Sequence, residues 1–310
     1  MATAARSRKL PDAAKVSESS GIVLSVVIAC DGALDRLPER LDALARACAG
    51  VAVEAIVVHP SGVSVGLPHS LVLPTTLLAA PSSLVPLLWG RGLVAARGRL
   101  VAFTTTQFEM REGWGRALLD GFASGRHAGI GGRIALAKGA GHLDRAMFLL
   151  RYSEHMGTEA SHAPREIAGD NAAYDRQAVL GVAPHVGNGF WEVDVHRLLR
   201  ASGLTIGRAP GAVADFRSTL SLREMLANRF VHGSHFGVYR VLSLRWPRWR
   251  ALAVTPLVPA VLLARILARV RRVGDPFPAL SLPLMLMLLI AWAAGEARGA
   301  LGATPRASAP

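Results

Sequence analysis

The chain of 310 residues carries a net charge of +13 that is almost wholly arginine, Lys9, Lys15 and Lys138 being the only lysines. That balance favours phosphates or anionic lipid, but the arginines are not gathered into an arm and no zinc-finger or RNA-binding motif occurs, so no nucleic-acid partner is expected. With 51% hydrophobic residues and a mean hydropathy of +0.32, the composition fits one large domain with an apolar appendage better than two soluble domains.

Residues 1–21 are small, polar and charged without the apolar core of a signal peptide, and read as a disordered tail that leaves the first domain in the cytoplasm. Val23 to Ala29 is then a buried strand, Arg36 to Cys48 an amphipathic helix, and Val53 to Val58 a second buried strand. Strand, helix and strand in that order make a parallel α/β unit with its ligand edge at the carboxyl ends of the strands. At those ends stand Cys30-Asp31-Gly32 and His59-Pro60-Ser61-Gly62. Cys30 and Cys48 are the only cysteines and read as a buried, reduced pair. A third strand is expected near Leu71 to Leu73, a helix over Val85 to Ala96, and a fourth strand over Leu100 to Phe103 that leads into Thr104-Thr105-Thr106-Gln107. Gly113-Trp114 opens a helix that reaches Phe122, Ile130 to Ala135 reads as a strand, and Leu143 to Tyr152 as a helix. Short strands at 204–206 and 212–214 close the globular part.

Residues 169–203 hold the strongest candidate for chemistry. Val195, Leu198 and Leu199 recur at helical spacing and Gly203 stops the helix, which places Glu192 and Asp194 in its first turn. Carboxylates there complement the helix dipole by roughly 0.3–1 kcal/mol each. Glu192 has more around it: Gly187-Asn188-Gly189, Phe190 and Trp191 precede it, a setting that holds a carboxylate partly desolvated, as a general base requires. His196 lies one helical turn further on, where it is placed to tune that base or to face solvent. His232 and His235 are three apart, but no nearby carboxylate or cysteine completes a metal set.

Beyond residue 240 the composition changes. Trp246-Pro247-Arg248-Trp249-Arg250 mixes aromatics with arginine as the headgroup layer of a bilayer favours. The stretch over 248–270 is interrupted by Pro256 and Pro259 and carries Arg265 and Arg269, so it reads as an interfacial helix, with a tilted span as the alternative. Phe277 to Gly295 contains no charge and reads as a transmembrane helix, ended by Gly295-Glu296. Arginines on both sides of the first segment fit monotopic attachment to the cytoplasmic leaflet, with the catalytic domain facing the cytoplasm.

The order of these signals resembles the family 2 glycosyltransferases. Ser25-Val26-Val27-Ile28 and Glu54-Ala55-Ile56-Val57-Val58 look like the first two strands of that family. Gly92, Ala96, Gly98 and Phe103 fit its pattern leading into the fourth strand, Gly113-Trp114 its helix start, and Gly169-x-Asn171 with Ala173-Tyr174 and Arg176 its acceptor-side motif. The resemblance implies a GT-A fold over residues 22–240, a Rossmann-like mixed sheet flanked by helices, followed by a membrane-associated helical region over 241–310. It implies a nucleotide-sugar donor, a membrane lipid or lipid-linked acceptor, and Glu192 as base where the family has Asp. Asp31, His59, Thr105, Gln107 and Arg91 would line the donor pocket, and Asn171, Asp170, Trp191 and Asp194 the acceptor side. The donor motifs depart from the pattern. His59-Pro60 stands where the family reads uracil and ribose with an Asp, Thr105-Thr106-Gln107 replaces the Asp-x-Asp, and Asp215 falls near the late His. The Mg²⁺ or Mn²⁺ usual in the family wants anionic oxygen ligands, so no metal site is expected at the usual place. Arg91, Arg97 or Arg176 would meet the diphosphate charge instead. A catalytically degenerate membrane protein that binds a ligand or partner subunit is the alternative.

Overall fold

Leu24–Ala29 (β1) is an unbroken buried run, as parallel strands covered on both faces require. It is followed by Leu37–Ala47 (α1), whose Leu37, Leu41 and Leu44 are buried, and by Val53–Pro60 (β2) and Thr75–Ala80 (β3). Next come Val85–Ala95 (α2), Leu100–Thr105 (β4), Phe108–Met110 (β5) and Trp114–Phe122 (α3). His127–Leu136 (β6), His142–Tyr152 (α4), Ala172–Asp175 (β7), Arg176–Val182 (α5), Glu192–Ala201 (α6) and Thr205–Phe216 (β8) complete the mixed part. Four helices follow: Leu222–Leu242 (α7), Arg248–Val254 (α8), Val258–Arg272 (α9) and Leu282–Gly302 (α10). This computed structural model describes residues 21–30, 34, 37–62, 65–67, 72–81, 84–123, 125, 127–156, 164, 166–218 and 220–302. Asp31 and the expected tail over 1–20 lie outside the described residues.

The chain divides into two compact units. The first is Met1–Ala137 with His155–Ser218, and the second is Lys138–Glu154 with Thr219–Pro310. In the first, eight strands form one sheet in the order β3-β2-β1-β4-β7-β6-β8-β5. Strands β3, β2, β1 and β4 are mutually parallel, whereas β7 runs antiparallel between β4 and β6, and β5 antiparallel to β8. Trp89 and Leu93 of α2, Val179 of α5, and Val195 and Leu199 of α6 pack with Val27, Phe103 and Tyr174 into one buried cluster on one face of the sheet. Trp114, Leu118 and Phe122 are buried on α3, which packs against β6 and β8. Strand β8 pairs in parallel with β6, but the register jumps from Gly132↔Ala209 to Arg133↔Val213, so residues 210–212 bulge.

The second unit is helical. Ser221 and Glu224 cap α7 reciprocally, Ser221 N–H donating to Glu224 Oε2 at 2.8 Å. Helices α7 and α10 meet backbone to backbone: a Cβ on Gly233 or Gly237 would run into the α10 main chain, and one on Gly295 or Gly299 into the α7 main chain. These are two small-xxx-small faces closed on each other. Ion pairs Arg145–Asp275 (2.8 Å) and Arg269–Glu154 (2.9 Å) join α4 and the turn after it to α9 and the turn after it, and Arg240–Glu296 (2.9 Å) joins α7 to α10. The segments Arg248–Arg272 and Ala279–Gly302 are long and apolar enough to cross a membrane. Trp249, Phe277, Leu280 and Ile290 are among their exposed apolar residues and those of the connection between them.

Several expectations change. The third strand lies at Thr75–Ala80 rather than at 71–73, and the two short strands at 204–206 and 212–214 are one bulged strand. Helix α7 falls in the second compact unit, where it packs along α10. Gly295-Glu296 does not end the last helix: Gly295 is the close-approach point for Phe230, and buried Glu296 is paired with Arg240. Cys30 and Cys48 are both buried and not joined by a disulfide, and burial pushes the Cys48 thiol up to about 12.

Candidate active site

Parallel strands β2, β1 and β4 end at a common edge, which carries His59, Thr104 and Thr105. Because β7 runs against β4, with Phe103 opposite Ala172, the Gly169–Asn171 turn before β7 arrives at that same edge. Chain reversal thus brings residues 65 apart in sequence, Thr105 and Asp170, to one rim of the sheet.

Glu192 joins them there. It opens α6 without a side-chain cap, and its Oε1 accepts from the Gly169 N–H. Gly169 is a glycine for a packing reason, since a Cβ would meet the Glu192 carboxylate and the Trp89 ring. Helix α2 fixes the approach to Glu192: Phe190 N–H donates to Pro86 O at 2.7 Å, and Trp89 Nε1 donates to Thr104 O at 2.9 Å. Trp89, Phe103, Tyr174 and Phe190 form an aromatic floor, with centroids 4.4 Å apart for Phe103 and Phe190 and 5.0 Å for Tyr174 and Phe190.

Under that floor runs a polar chain absent from the sequence reading. Fully buried His196 bonds Glu166 Oε2 through Nδ1 at 2.5 Å and Tyr174 Oη through Nε2 at 2.8 Å. Arg200 donates to the other Glu166 oxygen at 3.2 Å. With a carboxylate accepting from Nδ1–H, Nε2 is left to accept from the Tyr174 hydroxyl. Burial, with the charges of Glu192, Glu166 and Asp170, holds that hydroxyl well above the usual tyrosine value, so it stays a donor. His196 is thereby tied into the core and is not on the solvated face of its helix.

The remaining acceptor-side candidates divide. Asp170 is buried in the turn beside Asn171 and Trp191 adjoins Glu192, whereas Asp194 bonds Arg197 at 3.3 Å on the half-exposed side of α6. Asn171 is fully buried and committed to the fold: Trp114 Nε1 donates to its Oδ1 at 2.7 Å, and its Nδ2 donates to Arg133 O at 2.8 Å and Ala212 O at 3.0 Å. The Gly-Trp and Gly-x-Asn signals are therefore two halves of one clasp.

On the donor side, Thr104, Thr105, Thr106 and Gln107 are all buried, with Gln107 N–H donating to Thr105 Oγ1 at 3.2 Å. His59 Nδ1 stands 3.1 Å from Pro60 O. Arg91 is exposed on α2. Two expected phosphate ligands lie at the opposite edge. Arg97 grips Glu54 at 2.6 and 2.8 Å at the amino end of β2, and Arg176 follows Asp175, which pairs with Leu100 at the start of β4. Their sequence positions beside strands did not reveal which edge they occupy. A different pair stands at the ligand edge, Arg111 and Asp215, with guanidinium–carboxylate bonds of 2.7 and 2.8 Å. These bonds and the Asp215 charge raise the Arg111 pKa, keeping it a cation.

No family model matches the chain, and no curated protein matches it. In structure it is similar to a mannosyltransferase, PcManGT, from Pyrobaculum calidifontis, solved with GDP-Man and Mn²⁺. The TM-score is 0.50 at 17% identity, over 87% of this chain and 85% of that one. The fold is GT-A. Two further matches have a TM-score of 0.43: a mycobacterial protein at 16% identity, covering 69% of this chain and 73% of that chain, and S. aureus TarS at 11% identity, covering 70% and 40%. On this GT-A frame, the divalent ion of the fold family finds no matching donors among the described residues. Thr105 and Gln107 bring no charge, and both Asp215 oxygens face Arg111. Among the described residues no three His, Cys, Asp or Glu side chains converge on a metal-sized site.

Proposed function

We propose that this protein is a membrane-attached, inverting glycosyltransferase that moves a sugar from a nucleotide-activated donor to a hydroxyl group of a lipid-linked or cell-envelope acceptor. The observation that carries this reading is the position of Glu192, at the amino end of α6, anchored by the Gly169 N–H on the ligand edge of a GT-A sheet. That bond orients the carboxylate, which takes the proton of the acceptor hydroxyl. The oxygen attacks the anomeric carbon as the bond to the diphosphate breaks. The diphosphate departs with the electron pair, and the configuration inverts. A base in this role contributes about 10²–10⁴-fold. The nucleotide-sugar donor is supported by the GT-A fold and by the GDP-Man complex of the similar mannosyltransferase.

Two apolar helices with exposed Trp249, Phe277 and Leu280, flanked by Arg245, Arg248, Arg250, Arg269, Arg271 and Arg272, support attachment to an anionic cytoplasmic leaflet. A second reading, a non-catalytic ligand-binding membrane protein, is favoured by one observation: the uncharged Thr104–Gln107 turn. The two separate in a single assay. Full-length protein in nanodiscs made with native lipid extract is given a panel of nucleotide sugars, and released nucleoside diphosphate is measured. Release from one donor that Glu192→Gln abolishes supports the transferase; folded protein that releases nothing from any donor supports the second reading.

A further inference from the structure

Register places the side chains at the ligand edge on definite faces of the sheet. Phe103 faces the α2–α5–α6 side, so Thr105 does too. Phe103 is level with Ala172, and Ala172 with Gly131, which puts Arg133 on that same side at the height of Thr105. Arg133 is opposite Val213, and Asp215 lies two residues further along the same face of β8. From the far side, Arg111 donates its backbone N–H to that same Val213, at 3.0 Å. Two guanidinium-bearing residues thus flank one β8 residue from β5 and β6, with their backbones roughly 10 Å apart by strand spacing.

Their surroundings differ. Arg111 is held by the Asp215 fork while its own side chain remains 53% exposed. Arg133 has a buried Nε with no hydrogen-bond partner among the described residues, and no ion pair is formed by its guanidinium among them. A buried guanidinium N–H without an acceptor is costly, and an anion arriving at it removes that cost.

We propose that Arg133 and Arg111 neutralise the donor's diphosphate, so that a nucleoside diphosphate binds here without a divalent cation. This deepens the glycosyltransferase reading and rests on it. Thr105, at the end of β4 and at the same height as Arg133, brings a neutral hydroxyl where the fold family places a metal-binding carboxylate. That exchange removes a repulsion, because a carboxylate facing the diphosphate without its metal would oppose binding. Arginine suits the task because its planar fork bonds two phosphate oxygens at once.

Calorimetry on full-length protein in nanodiscs, with UDP, GDP, UMP and GMP as probes, tests it. Each probe is titrated in EDTA and again in Mn²⁺. One diphosphate is expected to bind saturably in EDTA, with an affinity that Mn²⁺ changes less than about threefold. Arg133→Gln should weaken that diphosphate about 10- to 100-fold and the matching monophosphate much less. The double variant Arg111→Ala with Asp215→Ala removes a charge pair without orphaning either member, and should also weaken the diphosphate. It covers the case in which the Arg133 variant misfolds. Binding that appears only with Mn²⁺ would overturn the arginine assignment and leave the glycosyltransferase reading standing. Wild-type affinity in both folded variants would do the same. Binding of neither diphosphate under any condition, by protein with an intact melting transition, would overturn both.

Discussion

At the amino edge of the sheet, buried Glu54 accepts from Ser25 Oγ at 2.7 Å, from the Arg97 backbone at 3.0 Å and from the Arg97 guanidinium at 2.6 and 2.8 Å, so the charge is closed on itself. At the carboxyl edge of the same sheet, Glu192 is half-buried with its Oε1 accepting from the Gly169 N–H, and Arg133 holds a buried Nε that no described residue satisfies. Both edges were built from short polar punctuation around apolar strands. What separates structure from chemistry is whether the charged group's bonding capacity is filled by the protein. A network that closes stabilises the sheet, but an open one marks a ligand site only at the strands' carboxyl ends, since Arg176 at the amino edge also keeps a buried Nε that no described residue satisfies.

The contrast can be broken most directly at Glu192. Glu192→Gln keeps the size and the Gly169 contact, so turnover should fall about 10²–10⁴-fold with the melting temperature nearly unchanged. A variant that melts much earlier would return Glu192 to the class of closed networks. Next in size is Asn171→Ala. It strips partners from Trp114 Nε1 and from the Arg133 and Ala212 carbonyls, and should cost about 3 kcal/mol in a denaturant titration. Should stability hold while acceptor KM rises, Asn171 belongs to the site after all.

Arg97→Ala sharpens the same comparison from the other edge. Arg97 is itself more than half exposed, and Glu54 keeps its Ser25 and backbone donors, so the loss is discounted to about 2 kcal/mol, with nucleotide affinity unmoved. The hydrogen bonds of Arg97 and Ser25 outweigh the opposing effect of burial and lower the Glu54 pKa. The folded protein then binds fewer protons than the unfolded chain. This stabilisation is present above the ordinary glutamate value and fades as pH falls through the lowered one, a loss that the Arg97 variant should largely lack.

The smallest effect tests a third way of treating charge, which is to suppress it. In the helical unit, burial first, then Arg151, Arg229 and His235, lowers the His232 pKa from 6.5 to about 3. The unfolded chain takes up the proton that the folded one refuses, so stability falls as pH drops below 6.5. Between pH 7 and pH 5 the loss should be about 1–2 kcal/mol, seen as an earlier melting transition. His232→Gln should flatten that slope, and an unchanged slope would assign it to other groups.

Much of the frame was legible because buried parallel strands must be continuous apolar runs, as Val26-Val27-Ile28 and Ile56-Val57-Val58 are. Helix α7 was not foreseen as a helix, and the reason is physical. It packs through Gly233 and Gly237 against main chain, so it has no apolar stripe for periodicity to detect. Strand β8 looked like two because Pro210-Gly211 interrupts it, and β7 is too short and too rich in alanine to announce itself. Within the site, Glu192 was visible from its helix turn and aromatic neighbours. The Arg111–Asp215 pair spans 104 positions, and His196 with Glu166 spans 30. Neither separation leaves a local pattern. Asn171 was noticed for its motif, but only the clasp with Trp114 shows what the motif does.

The bulge in β8 has an arithmetical consequence. Ala209 packs toward α3 beside Gly121 and Ile130, while Val213 and Asp215 share the opposite face with Arg133. Three extra residues, an odd number, invert the alternation of the strand, and that inversion turns Asp215 toward Arg111. Ala209 and Val213 are four residues apart, which simple alternation would put on one face, and the bulge is what sets Val213, and Asp215 with it, on the other. The three excess residues at 210–212 thus keep one carboxylate on the side of the sheet where its arginine stands.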